Sequence, residues 1–313
     1  MSSRTAVDDD VDGNTMMFCA SCGNAEGDDI KLKRCNGCHL VRYCSVKCQK
    51  EHRPKHKKEC KKRAAELRDE ILFRQPESSY GDCPICYLPL PIDTQKSRLF
   101  SCCGKYVCLG CSYANEEREI ELRLGYKCPF CRYPAVNSDE EIKNNYKKRA
   151  KANDPLAMFQ MGTIFHNEGD YKSAFEYYSK AARLGDPKAH YQLSSLYHGG
   201  KGVEKDEKKE WYHLEEAAIA GHVKARHYLG NYEGINKRYD RATKHFIIAA
   251  NQGHDESLEL LKKNYASGYV AKEDFAAALR GHFAAVKAAK SPQRDEAYAC
   301  LQKIEAASAA RQK

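Results

Sequence analysis

Sixteen cysteines are spread unevenly over the 313 residues: fifteen lie between Cys19 and Cys131, and Cys300 stands apart. They fall into two series. The first runs Cys19-x2-Cys22, Cys35-x2-Cys38, Cys44-x3-Cys48 and His56-x3-Cys60, seven thiolates and one imidazole. The second runs Cys83-x2-Cys86, Cys102-Cys103, Cys108-x2-Cys111 and Cys128-x2-Cys131, eight thiolates. Thiolate and imidazole are the donors zinc takes in four-coordinate sites, so each series suits two ions and the chain about four. A Cys-x2-Cys sets two sulfurs on one tight knuckle, and the glycine of Cys35-Asn-Gly-Cys38 suits its turn. Cys44/Cys48 and His56/Cys60 are four residues apart, the spacing of one helix face. When every vertex is a protein ligand no position is left open, which points to structure rather than hydrolysis.

Cys102-Cys103 is the awkward pair. Neighbouring side chains of an extended strand point to opposite faces, so both sulfurs reach one metal only from a bent backbone. Gly104, directly after, would help. The pattern favours both as ligands; the alternative is one bystander and a three-thiolate site completed by a non-cysteine donor.

Cysteines this dense could instead be a disulfide framework, but that requires an oxidising compartment. The N-terminus, MSSRTAVDDDVDGN, is polar and acidic with no apolar core, so it does not read as a signal peptide. No stretch approaches the roughly 18 consecutive apolar residues of a membrane span. The expectation is a reducing setting, cytoplasm or nucleus, with no membrane contact, where paired cysteines bind metal. The formal charge is +9, from 52 Lys and Arg against 43 Asp and Glu. Much of the excess sits in one run from Lys47 to Arg63, without an RNP-like, homeodomain or finger-helix motif beside it. That argues against nucleic acid as the main partner and for a solvated basic face.

Stepping along the chain, residues 1–17 read as a disordered acidic leader. The first series occupies 18–60. Ala64, Leu67, Ile71 and Leu72 fall at helical spacing in a connecting segment, 61–82, with a helix over 61–76 stopped by Pro76. The second series occupies 83–134. Ser138-Asp-Glu-Glu141 reads as a capping box opening a helical linker, 135–150. Over 151–290 the chain repeats itself: Asn153-Asp-Pro-Leu-Ala157, Gly185-Asp-Pro-Lys-Ala189, Gly221-His-Val-Lys-Ala225 and Gly253-His-Asp-Glu-Ser257 are spaced 32, 36 and 32 residues apart. Ala181-Ala182, Ala217-Ala218 and Ala249-Ala250 precede the last three, each followed by a glycine. A period of this size with two helical stretches per unit means an α-solenoid, its small residues allowing close helix approach and its glycines ending the second helix. Ser291-Pro292 opens a last helix, 291–313, expected to seal the array, with Cys300 as a buried small hydrophobe. The expected fold is thus mainly α: two small zinc-stabilised modules followed by an α-solenoid of helix pairs.

Three resemblances sharpen this. The phrase RCNGCHLVRYCSVKCQ resembles a MYND zinc finger. That likeness implies interleaving, with Cys19, Cys22, Cys44 and Cys48 on one ion and Cys35, Cys38, His56 and Cys60 on the other. It also implies recognition of short peptides at a surface including Gln49, although His52-Arg53 stands where the family shows Asp-Trp. His39 and His52 are then spare and solvated. Nothing in the chain resembles the catalytic SET domain of some MYND proteins. The second series resembles an all-cysteine RING finger, with 15, 4 and 16 residues between pairs. This implies Cys83, Cys86, Cys108 and Cys111 on one ion, and Cys102, Cys103, Cys128 and Cys131 on the other. In RING ubiquitin ligases the module docks a ubiquitin-conjugating enzyme. Ile85, Pro129 and Arg132 occupy the matching positions, while Leu122, Leu124 or Tyr126 replaces the usual tryptophan. The repeats resemble Sel-one-like units of the tetratricopeptide class, with a longer loop at Gly199-Gly-Lys-Gly-Val203 and Trp211-Tyr212 in the helix after it. The functional expectation is a protein- or peptide-binding zinc adaptor. A RING-type ubiquitin ligase acting by positioning is the alternative, and a transcriptional or nucleic-acid-associated regulator trails both.

Overall fold

The computed structural model describes residues 18–311 except Ser79 and Asn137, so the expected disordered leader, 1–17, lies outside the described residues. The chain divides into two compact units, Met1–Leu72 and Phe73–Lys313.

In the first unit a two-residue ladder pairs β1 (Lys33–Arg34) antiparallel with β2 (Arg42–Tyr43). One long helix, α1 (Val46–Leu72), follows. It replaces the separate connecting helix expected over 61–76: Ala64, Leu67 and Ile71 lie on the same 27-residue helix as the ligand candidates Cys48, His56 and Cys60. The Ser45 hydroxyl opens it by accepting from the Cys48 N–H at 3.2 Å. Pro54 lies inside the helix. An interior proline removes one backbone bond and crowds the preceding turn, at about 3 kcal/mol. Candidate ligands on both sides of it give α1 a tertiary anchor that local propensity lacks. The helix ends four residues before Pro76. Cys44 lies before α1 rather than on it, so it meets Cys48 through the turn into the helix, not along a helix face.

In the second unit β3 (Ser97–Phe100) and β4 (Lys105–Cys108) form a hairpin in the register Ser97↔Cys108 to Phe100↔Lys105, and α2 (Leu109–Glu121) follows directly. Cys102 and Cys103 occupy the hairpin turn. Gly104 closes it at φ 66° and donates its N–H to the Phe100 carbonyl at 2.7 Å.

Helix α3 (Asp139–Lys151) begins at Ser138, whose hydroxyl accepts from the Glu141 N–H at 3.2 Å. Four antiparallel pairs then stack on their neighbours: α4 (Pro155–Asn167) with α5 (Tyr171–Arg183), α6 (Pro187–Gly199) with α7 (Glu207–Ile219), α8 (Val223–Ile235) with α9 (Tyr239–Asn251), and α10 (Asp255–Ala266) with α11 (Lys272–Ala288). The repeated phrase marks the start of each first helix. Asp154, Asp186, His222 and His254 are its N-caps, each accepting the N–H three residues on. Within pairs, two glycines that the repeat phrase does not include let the helices approach closely. A Cβ on Gly162 would stand 2.6 Å from the Tyr178 ring, and one on Gly230 would stand 2.6 Å from Phe246. One register along, His190 Nε2 donates to the Ala182 carbonyl and the buried Arg226 to that of Ala218, tying α6 and α8 each to the pair before.

The last helix, α12 (Pro292–Arg311), does not seal the array. It packs on α2. Cys300 is correspondingly half-buried, within hydrogen-bonding reach of the Tyr113 hydroxyl on α2.

Candidate metal centres

Four quartets of donor atoms form among the described residues, each with its atoms within 4.8 Å of one another: Cys19/Cys22/Cys44/Cys48, Cys35/Cys38/His56/Cys60, Cys83/Cys86/Cys108/Cys111 and Cys102/Cys103/Cys128/Cys131. Sulfur–sulfur separations are 3.6 Å for Cys22–Cys44 and Cys44–Cys48, 3.7 Å for Cys35–Cys60, and 3.8 Å for Cys86–Cys108 and Cys103–Cys128. A tetrahedral ion with bonds of about 2.3 Å sets its sulfurs about 3.8 Å apart, so these spacings are those of a zinc polyhedron rather than of weak thiol hydrogen bonds. Charge points the same way. The Cys83 thiol, bonded by Cys108, falls to about 4, whereas burial pushes Cys111 up to about 12. Sulfurs this near cannot all be thiolates without a cation between them.

Four of the Cys-x2-Cys units are built alike. The residue after the second cysteine turns left-handed and donates its N–H to the first cysteine's carbonyl: Gly23, His39, Tyr87 and Arg132, at φ 75°, 59°, 56° and 61°, with N···O distances of 2.8–2.9 Å. The turn thus needs unusual backbone at the residue after the pair, not at Gly37 within it. Gly37 is small for another reason, because a Cβ there would stand 3.1 Å from the Cys60 sulfur. The fifth pair, Cys108/Cys111, opens a helix: Cys108 caps α2 by accepting the Cys111 N–H at 3.4 Å.

Residues 19–60 match the family described as the MYND finger, and residues 155–186, 187–222 and 223–254 each match the Sel1 repeat. This chain carries a MYND finger and three Sel1 repeats. The human histone-lysine N-methyltransferase SMYD3 is 58% identical over 31 residues, 10% of this chain and 7% of that protein. SET domain and MYND-type zinc finger protein 6 of Schizosaccharomyces pombe is 38% identical over 52 residues, 17% of this chain and 11% of that protein. The chain therefore spans only a small part of the length of these relatives. A crystal structure of a Sel1 repeat protein from Oxalobacter formigenes is 29% identical, covers 48% of this chain and 65% of that one, and superposes with a TM-score of 0.42.

Within the MYND finger, Gln49 is half-buried on the first turn of α1. His39 is the left-handed knuckle residue and exposed. His52 is not a solvated spare: its Nδ1 lies 3.1 Å from the Tyr43 hydroxyl and its ring stacks on His56 at 5.7 Å. In the second cysteine region Ile85 is 38% exposed and Pro129 half-buried, while Leu122 and Leu124 are exposed at the end of α2. Arg132 is exposed, its side chain 43% accessible, and its guanidinium joins a network that sequence reasoning missed. Its guanidinium donates to Asn115 Oδ1 at 2.8 Å and to Glu119 Oε1, and Glu119, buried on α2, also accepts the Lys127 N–H at 2.8 Å. A glutamate at the centre of a cysteine module, one turn beyond an asparagine on the same helix, was the available signal. Along the edge of the Sel1 repeats lies a cleft of about 880 Å3 lined by Tyr80, Tyr106, Lys188, Tyr191, His222 and neighbouring side chains. Lys188 donates to the Tyr106 hydroxyl at 3.1 Å and sits over the rings of Tyr80 and Tyr106. No helix among the described residues is long and apolar enough to cross a membrane.

Proposed function

We propose that this chain is a zinc-stabilised adaptor that joins protein partners, working in the cytoplasm or nucleus. The pairing of a MYND finger with Sel1 repeats, two kinds of interaction module, on one chain carries the reading. In it the finger (18–60), the second zinc module (83–134) and the repeat array (151–290) are separate presenting surfaces linked by 61–82 and 135–150. All sixteen quartet residues are zinc ligands. They fix backbone and leave no vertex for a reacting water. The finger offers the surface around Gln49, and the repeats offer the cleft at Lys188 and Tyr191, whose size is that of a ligand site. The test is a peptide-library screen with full-length protein. Peptides selected by the wild type should lose binding either to Gln49→Ala or to Tyr191→Ala with Lys188→Glu, each set insensitive to the other change. Peptides insensitive to both would refute this placement.

A second reading, a RING-type ubiquitin ligase, is favoured by one feature: the second module's quartets alternate along the chain, first pair with third and second with fourth, as they would in a cross-braced RING finger. Here Ile85, Pro129 and the exposed leucines would meet a conjugating enzyme, and Arg132 would leave Glu119 to bridge enzyme and ubiquitin. Autoubiquitination by the purified protein across a panel of conjugating enzymes decides it. Activity lost in Ile85→Ala and Arg132→Ala at unchanged zinc content supports the ligase, whereas an inert wild type leaves the adaptor alone.

A further inference from the structure

Buried charge is expensive unless a partner offsets it. A zinc ion with four thiolates carries a net double negative charge, whereas one with three thiolates and an imidazole carries a single one. Of the three all-thiolate quartets, two meet water: Cys22 is exposed in Cys19/Cys22/Cys44/Cys48, and Cys131 is exposed in Cys102/Cys103/Cys128/Cys131, whose two hairpin-turn members are half-buried. The Cys83/Cys86/Cys108/Cys111 quartet is the secluded one, with Cys83, Cys108 and Cys111 buried. Two backbone donors reach its sulfurs, Cys108 N–H to Cys83 and Cys111 N–H to Cys108, both at 3.4 Å. Neutral donors of this kind do not balance a double charge.

The balancing cation comes from the far end of the chain. Arg294, on the first turn of α12, donates from one guanidinium nitrogen to the Cys86 sulfur at 3.3 Å and to the Leu88 carbonyl at 3.1 Å. The other nitrogen donates to the carbonyls of Pro89 and Ala289, both at 2.7 Å. The residue is 7% exposed and lies 208 positions from Cys86 in sequence. It is held there by backbone packing as well, since a Cβ on Gly110 of α2 would stand 3.0 Å from Arg294 Cα. Four acceptors, one a candidate metal ligand, converge on one planar fork, a pattern an ammonium cannot reproduce.

We propose that Arg294 is an integral positioning residue of the Cys83/Cys86/Cys108/Cys111 zinc centre, so that docking of the C-terminal helix and metal retention at that centre depend on each other. The module is then bipartite in sequence: its knuckles come from 83–134 and its counter-cation from α12. Hydrogen bonds to a thiolate ligand from outside the polyhedron orient it and lower its tendency to leave the metal. Conversely, an empty centre removes the negative charge that draws Arg294 in, and α12 is held less firmly on α2.

The inference rests on the zinc reading above, and release kinetics separate the two. Zinc-loaded full-length protein is mixed with excess chromophoric chelator, and the ions released are counted with time. In Arg294→Ala one ion of the bound set should leave roughly 10- to 100-fold faster, the scale on which such outer partners act, with the others unchanged. Arg294→Lys should fall between, and serves alone if the alanine variant does not fold. Ala297→Asp, which disrupts the buried α12 contact but keeps the arginine, should accelerate the same ion. In cobalt-substituted protein the sulfur-to-metal charge-transfer band should shift in Arg294→Ala, a change that mere loosening of a helix would not produce. Release of every ion at the wild-type rate, or equal acceleration of all, overturns the role of Arg294 while leaving zinc binding intact. A wild type that holds no metal in its second module removes both.

Discussion

Glu119 shows how one buried carboxylate organises a small zinc module. Its two oxygens accept from the Lys127 backbone and from Arg132, fixing the approach to the last Cys-x2-Cys from the last turn of α2. Glu119→Ala leaves that N–H without its acceptor and the guanidinium with Asn115 alone, and a loss of about 1–3 kcal/mol is expected. Chelator-challenged thermal unfolding should show the second module melting earlier, whereas Ile85→Ala, at an exposed site, should leave its midpoint unchanged. An unaltered midpoint in Glu119→Ala would mean the network is dispensable. The same contacts restrain Arg132, so any function that needs its guanidinium must first release it from Glu119.

Among the helices, the register of the Sel1 repeats makes two tests possible. Alanine ordinarily stabilises a helix over glycine by about 1 kcal/mol. At Gly230 the new methyl would overlap the Phe246 ring, so Gly230→Ala should instead destabilise the array by about 1–3 kcal/mol, measured by denaturant unfolding. A stabilised variant would show that the pair can spread without penalty. Protonation provides the second test. His222 caps α8 by accepting the Ala225 N–H at 3.2 Å, which requires an unprotonated Nδ1. Burial lowers the pKa of His222 to about 3, that of His245 to about 3 and that of His213 to about 4. The unfolded chain takes up these protons near pH 6.5 and the folded chain does not, so their contribution is complete above that pH. It should drain away as pH falls from about 6.5 towards 4 and 3. His222→Asn keeps a good capping residue without a titrating ring. Followed by repeat helicity, it should lose less stability than wild type between pH 6.5 and 4; identical pH profiles would exclude His222 as a contributor.

For the molecule as a whole, metal and helix are separable supports. Purified, reduced protein should contain about four zinc ions. Exhaustive chelation should abolish the knuckles, because the free energy of metal binding is folding free energy for such modules. The repeats bury their own clusters, such as Ala157, Met161, Tyr178, Ala181 and Leu193 around α4–α6, and should keep most of the far-ultraviolet helical signal. Metal content of two or fewer, or collapse of repeat helicity on chelation, would contradict that separation.

Cysteine spacing and the internal repeat could be read directly because both are local. A Cys-x2-Cys has few ways to present two sulfurs, and a period near 34 residues is written in each unit's own caps and small residues. The capping serine at 138 and the glycines after Arg183, Ile219 and Asn251 are equally local, and the structure has them in those roles. What the sequence did not show depends on partners distant along the chain. Helix α1 runs through Pro54 because candidate ligands on either side anchor it, whereas propensity alone suggests a break. Cys102 and Cys103 come within reach of Cys128 and Cys131 only once a hairpin turns between them. The C-terminal helix reads as a cap for the array when judged by its own residues. Its position is instead set by Gly110, by Tyr113 and by the acceptors that gather on Arg294, and of these only the Ala289 carbonyl is near it in sequence.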